Sequence, residues 1–121
     1  MKTQKELALQ QLLKNKGINS NTIDFFIELL KYFKVSEVIT STSEKLAINF
    51  GRSERSIQRY VKTLKEHDLI YVRHYYNNDK PDKPYIEKNE YSKTRVTLRV
   101  EKQAEHLANR DVNVHFEAGA F

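Results

Sequence analysis

The chain has 121 residues, 31% charged and 39% hydrophobic, with a net charge of +5 and no cysteine. That length suits one domain with terminal appendages and leaves no room for a separate catalytic domain. Disulfides and thiolate metal sites are excluded. No apolar run is long enough to span a bilayer, and Lys2, Gln4, Lys5 and Glu6 stand where a signal peptide's apolar core would follow, so a cytoplasmic protein is expected. Net charge is +2 over residues 1–50, +5 over 51–99 and −2 over 100–121. The basic excess sits in the middle of the chain, as contact with phosphates would require.

A first helix is predicted over residues 4–15, where Ala8, Leu9, Leu12 and Leu13 form one apolar stripe and Gly17 ends it. Asn19, Ser20, Asn21 and Thr22 form a turn with several N-cap candidates. A second helix is predicted over 22–34. Ile23, Phe26, Ile27, Leu30 and Phe33 line one face, and Phe25, Leu29 and Tyr32 add another. A helix so apolar must be covered on two sides, by the first helix or by a second copy of the chain. Leu9, Leu12, Leu13, Phe25, Leu29 and Tyr32 are therefore the dimer candidates. A short strand is expected over 35–40, with Val38 and Ile39 directed inward.

Residues 43–62 read as two short helices joined by a sharp turn, the first over 43–50 and the second over 53–66. Ser41 and Thr42 are cap candidates for the first. Ala47 sits where the two helices would cross, and Gly51 where the chain must reverse with φ > 0. Ser53 is placed to cap the second helix. Leu46, Phe50, Ile57 and Tyr60 supply the apolar positions of a three-helix core. Arg55, Ser56, Gln58, Arg59 and Lys62 fall on the outward face. A short helix presenting Arg, Gln and Ser is suited to reading base edges in a major groove.

Beyond it, Asp68, Leu69 and Ile70 lead into a strand over 70–76, rich in β-formers. Asn77, Asn78, Asp79, Pro81, Asp82 and Pro84 argue for a loop, and residues 77–92 read together as a long wing. Lys80, Lys83, Lys88 and Lys93 are its candidate phosphate contacts. A second strand is expected over 94–100, where Val96, Leu98 and Val100 alternate with Arg95, Thr97 and Arg99. A short final helix is expected over 101–110, through Ala104, Leu107 and Ala108. The tail, residues 112–121, reads as disordered, or as an edge strand, a dimer-exchange arm or a partner-docking peptide.

The phrasing of Lys45-Leu46-Ala47, Phe50-Gly51-Arg52-Ser53, Ser56-Ile57-Gln58-Arg59-Tyr60, Leu64 and Leu69-Ile70 resembles the helix-turn-helix of winged-helix DNA-binding proteins. It is similar to the modules of small bacterial regulators and of plasmid or phage replication proteins, and the resemblance covers residues 36–100. The fold expected is a winged helix, mainly α with a small antiparallel β-hairpin wing. Residues 1–35 would support or dimerise it, and residues 101–121 would form a C-terminal helix and tail.

The function expected is sequence-specific binding of double-stranded DNA by a homodimer, as a small repressor. The alternatives are a plasmid or phage replication or partition protein, and a protein-interaction module. Arg55, Ser56, Gln58 and Arg59 would read bases. Thr42, Ser43, Arg52, Ser53, Lys62 and Lys65 would hold phosphates, and Arg73, Lys80 and Lys83 would act from the wing. No enzyme, metal or cofactor is expected. His67, His74, His106 and His115 are scattered, no phosphate-cradling Gly-rich loop or Gly-x-Ser-x-Gly elbow occurs, and Tyr75, Tyr76, Tyr85 and Tyr91 have no clustered base beside them. Such tyrosines on a hairpin are packing residues with a wet hydroxyl.

Overall fold

The computed structural model describes the backbone of residues 2–77 and 85–120, and the side chains of residues 2–76 and 88–109. Helix α1 spans Gln4–Asn15, and the Thr3 hydroxyl caps it by accepting from the Glu6 N–H. Its C-terminus closes on Gly17 at φ +84°, and the Ile18 N–H bonds back to Leu13 O at 3.3 Å. Ile18 and Leu13 are both buried, which adds the apolar contact that accompanies this stop signal. Helix α2, Ser20–Phe33, begins two residues earlier than expected. The cap is Asn19, which accepts from the Thr22 N–H at 2.9 Å.

Strand β1 is Val38–Ser41, helix α3 is Ser43–Phe50 and helix α4 is Glu54–Glu66. Strand β2 is Ile70–Asn77, strand β3 is Tyr85–Lys93 and helix α5 is Arg95–Ala120. The three strands form one antiparallel sheet in the order β1-β3-β2. Five helices and this sheet make a winged helix, in which β2 and β3 are the wing hairpin. Among the described residues no helix is long and apolar enough to cross a membrane.

Three expectations about the second half of the chain need correction. Residues 85–92, read as loop, are strand: Val72 pairs with Tyr91, Arg73 with Glu90 and His74 with Asn89. Residues 94–100, read as strand, open a helix. The Thr94 hydroxyl accepts from the Thr97 N–H at 3.1 Å and so caps it. Val96, Thr97, Val100 and Ala104 then turn to the core while Leu98 stays exposed. This is a helical spacing that period-two alternation imitates over one short run. The short final helix and the tail are thus one helix, α5, whose backbone stays helical through Ala120.

One core joins the layers. Leu9 and Leu13 of α1, Ile23, Phe26 and Leu30 of α2, Leu46 of α3 and Ile57 and Leu64 of α4 belong to it. Tyr91 of β3 and Val100 and Ala104 of α5 complete it. Burying each large aliphatic side chain stabilises the fold by about 1.5–3 kcal/mol. Ile39 packs against this core, whereas its neighbour Val38 is exposed. Both were expected inside, but successive strand residues point to opposite faces.

The dimer candidates are also relocated. Leu9, Leu13, Phe25 and Leu29 are 3%, 0%, 2% and 0% exposed, so the chain itself encloses them. The second face of α2 is covered by the helix-turn-helix. Phe25 meets Phe50 edge-on at 5.1 Å and Tyr60 at 5.4 Å, and Tyr32 meets Phe50 at 5.6 Å. Leu12 is partly buried, and of the six only Tyr32 is substantially exposed.

Candidate nucleic-acid interface

Local chemistry sets the angle between α3 and α4. Thr42 caps α3 by accepting from the Lys45 N–H at 3.1 Å. The helix stops at Gly51, at φ +64°, with Arg52 N–H bonded to Ala47 O at 2.9 Å and Gly51 N–H to Ile48 O at 3.3 Å. Ser53 then caps α4, accepting from the Ser56 N–H at 3.1 Å. Ala47 is buried, and Ile57, Tyr60 and Leu64 seat α4. Gly51 and Ser53 therefore play the parts their positions suggested.

Held this way, α4 leaves Arg55, Gln58, Arg59, Lys62 and Lys65 exposed. Ser56 departs from this group. It is half-buried, and its hydroxyl accepts from that of Ser53 at 2.9 Å, on the flank away from Gln58. Several expected phosphate ligands are also committed within the fold. The Thr42 and Ser53 hydroxyls are caps, and the Arg52 guanidinium donates to the Tyr60 hydroxyl at 3.1 Å and lies 5.7 Å from that ring's centre. Lys93 pairs with Glu101 of α5 at 2.9 Å, tying the hairpin's end to that helix. Lys62 and Lys65 remain exposed on α4.

On the sheet face away from α4, Arg73 and Lys88 lie 5.3 and 5.2 Å from the Tyr75 ring centre, a double cation–π contact. The Tyr75 hydroxyl donates to Glu90 at 2.8 Å, and that bond, with burial behind it, pushes the Tyr75 phenol above its ordinary range. Lys80 and Lys83 lie outside the described residues.

Between α4 and the sheet runs a groove of about 500 Å³. Gln58, Lys62, Lys65 and Glu66 line its helical wall, and Val61 and Val72 its apolar floor. At the bottom lies a polar chain that sequence reasoning missed. His74 Nδ1 donates to Asn89 Oδ1 at 2.6 Å, and Asn89 Nδ2 donates to the Tyr91 hydroxyl at 3.1 Å. Burial pushes the Tyr91 phenol up, against the lowering effect of Asn89 and Ser43. Asn89 and Tyr91 are 7% and 1% exposed, whereas His74 is open to solvent. The available signal was period two, which places residues 89 and 91 on one face and 88, 90 and 92 on the other.

No protein-family model matches the chain, and no curated protein sequence does. Solved structures do match its fold. The transcriptional regulator Tm0710 from Thermotoga maritima superposes with a TM-score of 0.64 at 11% identity, over 94% of this chain and 71% of that one. A MepR variant from S. aureus, bound to an oligodeoxyribonucleotide, gives 0.62 at 12% identity, over 93% and 74%. A MarR variant from E. coli, complexed with operator DNA, gives 0.54 at 15% identity, over 90% and 69%. The likeness is one of fold, extends over nearly the whole chain, and makes this chain a winged helix.

Proposed function

We propose that this chain binds double-stranded DNA by sequence and regulates transcription, as a small repressor. The observation that carries the reading is the outward arc of α4. Arg55, Gln58, Arg59, Lys62 and Lys65 stand exposed on a helix capped at its start and seated by a dry inner face. Arg forks onto guanine and Gln onto adenine in a major groove, while Lys neutralises phosphate. Arg55, Gln58 and Arg59 are the base readers, with Ser56 at the edge of the set. Lys62 and Lys65 are the principal phosphate contacts. Thr42, Ser43 and Ser53 contribute through the backbone N–H groups at the starts of α3 and α4, whereas Arg52, with its N–H on Ala47 and its guanidinium on Tyr60, supports the helix pair. Arg73, Lys80 and Lys83 act from the wing.

The fold shared with MepR and MarR variants bound to DNA supports this reading. So does the net charge of +5 over residues 51–99. We assign DNA reading to residues 36–100, and assembly as a homodimer to residues 1–35 and 101–121. The test is selection of duplexes from a random pool, followed by footprinting on the enriched site. An enriched, footprinted sequence is expected. A pool that emerges without enrichment would end the sequence-specific reading.

A further inference from the structure

The groove between α4 and the hairpin has a chemistry that base reading does not use. Its helical wall carries Lys62 and Lys65, and its floor carries His74 on the inner face of β2. Asn89 opposes His74 across the hairpin, and the His74 Nδ1–H is committed to the Asn89 carbonyl at 2.6 Å. The direction of that carbonyl is set in turn, because the Asn89 amide donates to Tyr91 at 3.1 Å. With Nδ1 so occupied, a neutral imidazole offers Nε2 only as a lone pair, and an imidazolium offers a second N–H and a positive charge. His74 is exposed, so Nε2 is within reach of a ligand entering the groove.

Charge and position supply the ligand. The groove of about 500 Å³ opens beside Gln58 on the reading face and is walled by Lys62 and Lys65. A phosphodiester flanking the bases that α4 reads is the anion that reaches it. We propose that this groove seats a phosphodiester of the bound duplex, held by Lys62, Lys65 and the imidazolium of His74, so that each copy takes up one proton on binding DNA. The proposal rests on the DNA-binding reading and names a ligand contact and a regulation within that site.

The neighbouring charges set the sense of the linkage. Facing the groove from α4 are Lys62, Lys65 and Glu66, and from the sheet the phenols of Tyr91 and of Tyr76, whose ring lies 6.3 Å from that of His74. A phosphate entering between the lysines brings a negative charge and an acceptor for Nε2–H, a donor that only the imidazolium has when Nδ1–H is on Asn89. Binding therefore strengthens as pH falls.

The experiment uses a fluorescein-labelled duplex selected by the full chain, with anisotropy titrations from pH 8 to pH 6 at several salt concentrations. Wild-type affinity is expected to rise as pH falls, by up to about tenfold per unit for each proton taken up, one per copy. His74→Gln should remove that rise. At pH 6 it should also bind more weakly than the wild type, by a margin that closes as pH rises to 8. His74→Lys, permanently charged, should bind at pH 8 about as tightly as the wild type at pH 6. Equal thermal melts of the three proteins would show that folding is not what changed. A His74→Gln protein that keeps the wild-type pH profile overturns the proposal and leaves the DNA-binding reading intact. A wild type that binds the duplex with no pH dependence does the same. A wild type that binds no duplex at any pH overturns both.

Discussion

Gly51 has φ +64°, and a Cβ added there would meet nothing within 4 Å. Space is therefore not the reason for glycine at this turn; the backbone angle is. Gly51→Ala should destabilise the fold by about 1–2 kcal/mol, the cost of an L-residue in the left-handed region. Urea denaturation would measure it, and an unchanged midpoint would show that the turn relaxes to another conformation. On the reading face, Arg55 and Arg59 lie one helical turn apart and are both exposed. If each forks onto a base, Arg55→Ala and Arg59→Ala should each cost about 1–3 kcal/mol of binding and relax one base pair's preference. Titration of the selected duplex and its single-base variants decides this. Uniform weakening on every sequence would reassign the pair to phosphates.

Tyr91 makes a prediction of the same grain about stability. Its phenol is raised above the ordinary 10.0 in the folded chain, chiefly by burial. The folded state therefore keeps the proton longer than the unfolded state does. The stability this contributes is whole below about pH 10 and is lost as pH rises through the folded value. Tyr91→Phe should thus flatten the alkaline fall in stability above about pH 10. Parallel curves for the two proteins would place that fall elsewhere.

At the scale of elements, the join between α4 and α5 decides how the reading helix is held. The chain leaves α4 through Asp68, a non-glycine residue at φ +56°, with Leu69 N–H bonded to Leu64 O at 2.8 Å. The hydroxyls of Thr94 and Thr97 donate to the carbonyls of Asp68 and Leu69. Thr97 is fully buried, so Thr97→Val keeps the shape and leaves the Leu69 carbonyl without that donor. A loss of about 1–3 kcal/mol is expected in a thermal or chemical melt. A neutral result would mean that water takes the donor's place.

This join also shows where the sequence was legible. The helix-turn-helix could be read because its small residue, glycine, serine cap and apolar positions are all local and agree with one another. Residues 94–100 could not. Val96, Leu98 and Val100 satisfy period two, and what decides for a helix is the Thr94 cap and the burial of Thr97 against a carbonyl 28 residues earlier. The phosphate groove was hidden for the same reason. His74, Asn89 and Tyr91 become neighbours only through the β2–β3 register, which a chain with an unread strand does not yield.

For the whole molecule the open quantity is the number of reading heads brought to one duplex. A single α4 covers few base pairs, and specific affinity from such a head usually requires two copies on half-sites about 34–36 Å apart. The covered face of α2 removes Phe25 and Leu29 from the available surface, so the proposed assembly would fall to the outer sides of α1 and α5. Helix α5, which packs on α1, spans about 39 Å at the usual helical rise, long enough to carry an interface beyond that contact. Leu7 of α1 is 46% exposed there and Leu12 partly so. A symmetric pairing through these helices would place two copies of α4 on a palindromic site. Sedimentation at micromolar concentration should therefore give a dimer, and footprinting a protected pair of half-sites. Lys62→Ala with Lys65→Ala should flatten that dimer's log–log salt slope by about 0.9 for each phosphate no longer neutralised, summed over both copies. A monomer protecting one half-site, with a correspondingly smaller change in slope, would sink the symmetric assembly and assign residues 1–35 and 101–121 to the support of a single reading head.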